Sequence, residues 1–263
     1  MIFFVHLRSF VGRLFSVPTQ MRINIFLADL FWFLRLLFLG VKRTNTPEVN
    51  KIWQNISRFS SLNKEKNYDL AELIFLHNEI FKNKHTNIIE FGTCRGGSLK
   101  LIANLIKNNS KIFSIDQFGE GVSNLIVSKN DLHYKDYSPF DYKKFENLDY
   151  KKLSQDLNKK LSSSKKKVVI INETFSQKKA RALKIDKIKF SFVYVDFDLY
   201  SSTLEVLKFL KNKLEKNAIV VFDDYGGINQ TGVKKAINKI GLKKSTCIET
   251  SSGQLIYINF NKY

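Results

Sequence analysis

Ile88-Ile89-Glu90-Phe91-Gly92-Thr93-Cys94-Arg95-Gly96-Gly97-Ser98 runs from an apolar strand through a glycine-rich turn into the start of a helix. Glycines at 92, 96 and 97 let the backbone turn tightly and approach a ligand, and the helix N-terminus at Ser98 offers unpaired N–H groups. It is not the dinucleotide fingerprint G-x-G-x-x-G, because Cys94 stands where the second glycine belongs. Glu90 at the strand tip would repel a pyrophosphate, whereas a carboxylate there suits an ammonium or sulfonium group.

Working outward, strands and helices alternate to the end of the chain. An amphipathic helix from Asp69 carries Leu70, Leu73, Ile74, His77, Ile80 and Phe81 on one face, with His77 read as a packed core residue. Strands are expected at Asn87–Glu90, Lys111–Ile115, Lys167–Ile171, Phe190–Val195 and Ala218–Phe222. Helices are expected between them at Ser98–Lys107, Tyr150–Leu161 and Ser202–Leu214, and then at Gly232–Ile240. Thr246–Glu249 and Leu255–Phe260 flank a Ser-Ser-Gly turn and read as an antiparallel hairpin at one sheet edge. The pattern predicts an α/β fold, a doubly wound, mostly parallel seven-stranded sheet of Rossmann-like type, with ligands bound beyond the carboxyl ends of the strands.

Acidic residues gather at those ends. Asp116, 26 residues after Glu90, closes the second strand and is placed to accept hydrogen bonds from the two hydroxyls of a ribose. Phe192-Val193-Tyr194-Val195-Asp196-Phe197-Asp198-Leu199-Tyr200 and Ala218-Ile219-Val220-Val221-Phe222-Asp223-Asp224-Tyr225 are two hydrophobic strands that each end in paired carboxylates. If the two are neighbours, up to four negative charges meet on one rim. That density calls for a cation, and hard oxygen donors select Mg²⁺, Mn²⁺ or Ca²⁺ over zinc. Asp198 and Asp224 also have a simpler reading as caps of the segments that follow.

Glu90-Phe91-Gly92 with Arg95-Gly96-Gly97-Ser98, Val195-Asp196-Phe197-Asp198-Leu199-Tyr200 with Ser202-Thr203, and Phe222-Asp223-Asp224-Tyr225 together resemble the macrocin O-methyltransferase family over roughly residues 62 to 260. The resemblance implies a class I methyltransferase fold that uses S-adenosylmethionine, with magnesium held at the tips of the two later strands. It carries cofactor contacts onto Glu90, Gly92, Thr93, Gly96, Ser98 and Asp116, and metal ligation onto Asp196 and Asp223, with Asp224 beside them. The proton acceptor for a hydroxyl nucleophile is left open among Asp196, Asp198, Asp224 and His133. The chain departs from the family pattern in three places. Phe197 stands between the two aspartates where a small residue is usual, Glu215-Lys216-Asn217 replaces Pro-Gly-Gly, and the loop after Asp116 runs long through Tyr142.

Around this domain, read as residues 67 to 263, the sequence has a polar linker over 44–66 and a hydrophobic N-terminal segment over 1–43. Phe3, Phe4, Leu7, Phe10, Val11, Leu14 and Phe15 recur at helical spacing opposite Arg8 and Arg13. Ile23 to Leu39 would reach about 25 Å as a helix, short of a hydrocarbon core of about 30 Å. An interfacial helix pair on an anionic membrane and a helical pair packed in a homo-oligomer both fit. Forty-three Lys and Arg against 24 Asp and Glu leave a charge of +19, which favours anionic partners. No base-stacking or helix-turn-helix module is evident, so nucleic acid is not expected. Two cysteines give no disulfide framework, and Arg8 and Arg13 break any secretory apolar run. The expected setting is cytoplasmic, peripheral to the membrane's inner face. The expected acceptor is a small-molecule, lipid-linked or nucleotide-linked glycan. A methyltransferase-fold scaffold without activity is the competing reading, and intact Glu90, Asp116, Asp196 and Asp223 argue against it.

Overall fold

The computed structural model describes residues 64–107, 109–117, 150–162, 166–226, 231–242, 247–250 and 253–259, all within one compact unit, Thr46–Tyr263. Helix α1 (Lys64–Ile80) leads into β1 (Thr86–Phe91), α2 (Gly97–Leu105) and β2 (Ser110–Asp116). After these come α3 (Tyr150–Leu161), β3 (Lys166–Asn172), the short α4 (Gln177–Ala182) and β4 (Phe190–Val195). The chain continues through α5 (Tyr200–Leu210), β5 (Leu214–Phe222), α6 (Thr231–Ile240), β6 (Cys247–Glu249) and β7 (Leu255–Ile258).

The strands form one seven-stranded sheet in the order β3-β2-β1-β4-β5-β7-β6. β1 to β5 pair in parallel, and β7 runs antiparallel to both β5 and β6. This is the Rossmann-like fold of class I methyltransferases, as the sequence predicts, with the terminal hairpin at the edge and β6 outermost. β4, Phe-Ser-Phe-Val-Tyr-Val, is buried at every position, the continuous burial of a central parallel strand covered on both faces. Side chains alternate between two core layers: Ile89, Phe91, Val193 and Val195 face one way, Ile88, Phe192 and Tyr194 the other.

Three boundary differences and one unexpected helix have physical reasons. α1 opens at Lys64, ahead of the apolar stripe that begins near Asp69, because its first turn is polar. The spacing of Val206, Leu207, Leu210 and Leu214 extends a helical pattern, yet α5 ends at Leu210 and Asn212 turns the chain at φ 63. Leu214 instead pairs with Phe190, and a register shift follows before Ile219 pairs with Phe192. Asn217, in the stretch that replaces Pro-Gly-Gly, adopts φ 63, a left-handed conformation that Asn accepts more readily than most residues. α4, not expected, is nucleated by Ser176, whose side chain accepts a hydrogen bond from the Lys179 amide. Among the described residues no helix is long and apolar enough to cross a membrane. The helices expected within residues 1–43 lie outside the described residues.

Candidate active site

The order of the sheet reverses between β1 and β4, and the crevice outside their carboxyl ends is where such sheets bind ligands. There the loop after β1 crosses the loop after β4 at Gly92. A Cβ at Gly92 would lie 2.0 Å from the carbonyl oxygen of Asp196, and the residue holds φ +89, so both the space and the conformation require glycine. Backbone bonds join the loops: the Asp196 amide donates to the Phe91 carbonyl at 2.7 Å, Gly92 to Ile115 at 2.9 Å, and Asp223 to Val195 at 2.8 Å.

On the β1–β2 side, Glu90 is fully buried yet well provided with donors. Its carboxyl accepts from Ser98 Oγ at 2.5 Å, Thr93 Oγ1 at 2.9 Å and Ser114 Oγ at 3.1 Å. Burial pushes Glu90 up to about 7, and the three hydroxyl donors oppose that rise without cancelling it. Asp116 Oδ2 accepts from the amides of Thr93 at 2.7 Å and Cys94 at 2.6 Å. One carboxylate oxygen expected to meet a ribose therefore also fixes the glycine-rich turn. Gly96, at φ +80, opens α2 and packs so closely on α3 that a Cβ would come within 2.9 Å of a Leu157 methyl. Burial first, then the charges of Asp116 and Asp196, pushes the Cys94 thiol up to about 12.

On the β4–β5 side, carboxylates crowd together. Asp196, Asp198 and Asp224 each bring an oxygen within 4.8 Å of the other two. Asp223, itself buried, accepts from Gln254 Nε2 at 2.9 Å through Oδ1 and from Lys66 Nζ at 2.7 Å through Oδ2. Lys66 Nζ also donates to Asp224 Oδ1 at 2.7 Å. The metal set implied by the resemblance was Asp196, Asp223 and Asp224; the oxygens that converge belong to Asp196, Asp198 and Asp224, while Asp223 is held by a lysine and a glutamine. Burial, and then the neighbouring carboxylates, push Asp196 and Asp198 well above the usual carboxylate range. Burial also pushes on Asp224, but Lys66 and the hydrogen bond from Asp198 outweigh it and hold Asp224 low. Burial works against the charge on Lys66, and Asp223, Asp224 and Asp196 more than restore it.

Sequence reasoning missed three of these groups. Ser114 looks like an ordinary mid-strand residue, Gln254 falls in a hairpin turn, and Lys66 falls in the polar stretch read as linker, 157 residues from its partner. Four carboxylates at two strand tips call for a cation, but that arithmetic does not say that the chain supplies one. His77 is a core residue as expected: it is buried, its Nε2 is 2.9 Å from Ser191 Oγ, and burial lowers it to about 4. Phe197, in place of a small residue, lies edge-on to Phe91 with ring centroids 5.7 Å apart and covers the Gly92 turn. His133 lies outside the described residues.

The sequence profile of a family described as a methyltransferase domain matches residues 89–225, just over half of the chain, and the chain belongs to that family. Its fold is shared with two structures of CalS11, described as a calicheamicin methyltransferase and as a TDP-rhamnose 3'-O-methyltransferase. Each is 18% identical and aligns over 82% of this chain, with 94% and 96% of CalS11 covered and TM-scores of 0.52 and 0.50. The O-methyltransferase NovP is 12% identical, with 77% of this chain and 83% of NovP covered and a TM-score of 0.55. No curated protein sequence matches the chain.

Proposed function

We propose that the protein is an S-adenosylmethionine-dependent O-methyltransferase that methylates a hydroxyl of a sugar or glycan-like small molecule with the help of a hard divalent cation, Mg²⁺ first. The observation that carries this reading is the pairing, across one switch-point crevice, of a hydroxyl-lined buried carboxylate at Glu90 with four carboxylates at Asp196, Asp198, Asp223 and Asp224. The narrower likeness to macrocin O-methyltransferases supports it, and so do the O-methyl transfer and sugar substrate named for its structural neighbours.

The residues present fit both groups. A glycine turn pinned by Asp116, with Glu90 at its base, suits a cationic cofactor, and an all-oxygen set of three converging carboxylates suits a hard cation. When bound, the cofactor offers an electrophilic methyl group and the cation lowers the pKa of a hydroxyl beside it. The chain's work is alignment and proton transfer. Glu90 and the Gly92–Gly96 turn would hold the sulfonium end, and Asp116, which steadies the turn, would accept from the ribose hydroxyls. Asp196, whose backbone abuts Gly92 and whose carboxylate is one of the converging three, would take the proton of the acceptor hydroxyl.

The +19 charge and the aromatic, arginine-bearing residues 1–43 extend the reading to place: a cytoplasmic enzyme on the inner membrane face, taking a lipid-linked or nucleotide-linked glycan, with a homo-oligomer as the other use of the same apolar faces. Nucleic acid is not the intended partner. Calorimetry with S-adenosylmethionine tests the core of the proposal, and no heat of binding at millimolar cofactor would sink it. Mass spectrometry of glycans and metabolites from cells with and without the gene then identifies the acceptor as the species that loses the mass of one CH₂.

A further inference from the structure

We propose that Lys66 is the resident counter-ion of the acidic rim, and that a divalent cation binding there must displace its ammonium. The lysine is the third residue of α1, and its Nζ lies 2.7 Å from Asp223 Oδ2 and 2.7 Å from Asp224 Oδ1. One ammonium thus bridges two consecutive carboxylates at the tip of β5. The lysine side chain is 15% exposed and its partners 2% and 13%, so this is no solvent-screened surface pair.

Asp224 is the member shared between two arrangements. It is one of the three carboxylates, with Asp196 and Asp198, whose oxygens converge within 4.8 Å, and it is also half of the bridge to Lys66. A Mg²⁺ or Mn²⁺ ion bonded to a carboxylate oxygen stands about 2.1 Å from it. An ammonium on the same carboxylate would then face a double positive charge at very short range in a poorly screened site. The two cations are therefore alternatives. Lysine suits the part, because its charge is compact and its four-carbon stem is flexible, so it can leave without dismantling the helix. Asp223 keeps its second hold, Gln254, when the ammonium goes. Helix α1 thereby carries the group that responds to whether the rim holds a metal.

The displacement half rests on the divalent-cation part of the proposed function, and the test separates the two. Mn²⁺ binding is followed by the loss of the free-ion electron paramagnetic resonance signal for the full chain, Lys66→Met and Lys66→Arg, together with thermal melts in EDTA. Lys66→Met should bind Mn²⁺ at least tenfold more tightly than the wild type, with Lys66→Arg close to wild type. In EDTA Lys66→Met should melt lower, and Mn²⁺ should raise its melting temperature by more than it raises that of the wild type. Lys66→Gln serves in the same comparison if the Met variant does not fold. Mn²⁺ binding by Lys66→Met that is equal to or weaker than wild type overturns the displacement, since ion and ammonium would then occupy separate places. If no variant binds Mn²⁺ at millimolar concentration, the divalent part of the proposed function falls and displacement falls with it. The counter-ion role still stands if adding Asp224→Asn to Lys66→Met restores the melting temperature in EDTA. It is overturned if Lys66→Met melts like the wild type there.

Discussion

The two sides of the crevice solve the problem of a buried carboxylate in opposite ways. Around Glu90 the chain supplies neutral donors, the hydroxyls of Thr93, Ser98 and Ser114, so the group is satisfied by hydrogen bonds, though burial still pushes it up to about 7 against them. Around Asp196 and Asp223 the neighbours are further carboxylates, and the balance is struck by charge, with Lys66 set against Asp223 and Asp224. The first side is preorganised and complete as it stands. The second sets one ammonium, that of Lys66, among the carboxylates of Asp196, Asp198, Asp223 and Asp224, and the proposed function takes the crowding as the place of a further cation.

That contrast predicts where substitutions cost most. Asp196→Ala and Asp223→Ala should each lower methyl transfer by about a hundredfold or more, the equivalent of several kcal/mol of charge stabilisation at about 1.4 kcal/mol per decade. EDTA should remove the same activity, and Mg²⁺ should restore it to the wild type but not to these variants. Steady-state rates for all four aspartates sharpen the assignment. If Asp198→Ala is as damaging as Asp196→Ala while Asp223→Ala is mild, the converging trio holds the ion and Asp223 only steadies the rim. Full wild-type activity in EDTA would break the contrast outright.

A second contrast is structural. Gly92→Ala forces a Cβ onto the Asp196 carbonyl, a rigid backbone neighbour, at positive φ, and should cost about 3 kcal/mol or more in urea denaturation. Gly96→Ala meets only the methyl ends of Leu157, which can shift, and should cost about 1–2 kcal/mol. Equal losses would show that the two loops do not press on each other at Gly92.

Much of this was legible in the sequence because it is local. The apolar strands, the turn at Gly92–Gly96 and the Asp pairs at the tips of β4 and β5 are each written within a dozen residues, and the alternation of elements fixes which ends they share. What was illegible depends on distance along the chain. Lys66 is one lysine among many until the fold carries it across 157 residues to Asp223. Gln254 acquires meaning only because the hairpin lays β7 against β5. The short α4 and the bulge at Asn217 turn on single capping and left-handed residues that carry no periodicity.

The effect spread most gradually, over a range of pH, is the one that isolates Glu90. Its carboxyl is raised from an ordinary 4.5 to about 7 by burial, so between those pH values the folded chain binds more protons than the unfolded chain. Stability contributed by this group is therefore fully present below about 4.5 and is lost as pH rises to about 7, after which it is flat. At about 1.4 kcal/mol per pKa unit the loss is at most about 3 kcal/mol. Glu90→Gln cannot ionise, so the stability of the variant relative to wild type should improve between pH 5 and pH 8 in paired denaturation curves, whatever the other carboxylates do. A bound sulfonium and ammonium favour the ionised form, so S-adenosylmethionine should bind wild type more tightly at pH 8 than at pH 5, and this preference should vanish in Glu90→Gln. Parallel pH slopes for the two proteins would mean that the hydroxyl donors already hold Glu90 charged, and the distinction between a neutral cradle and a charged rim would collapse.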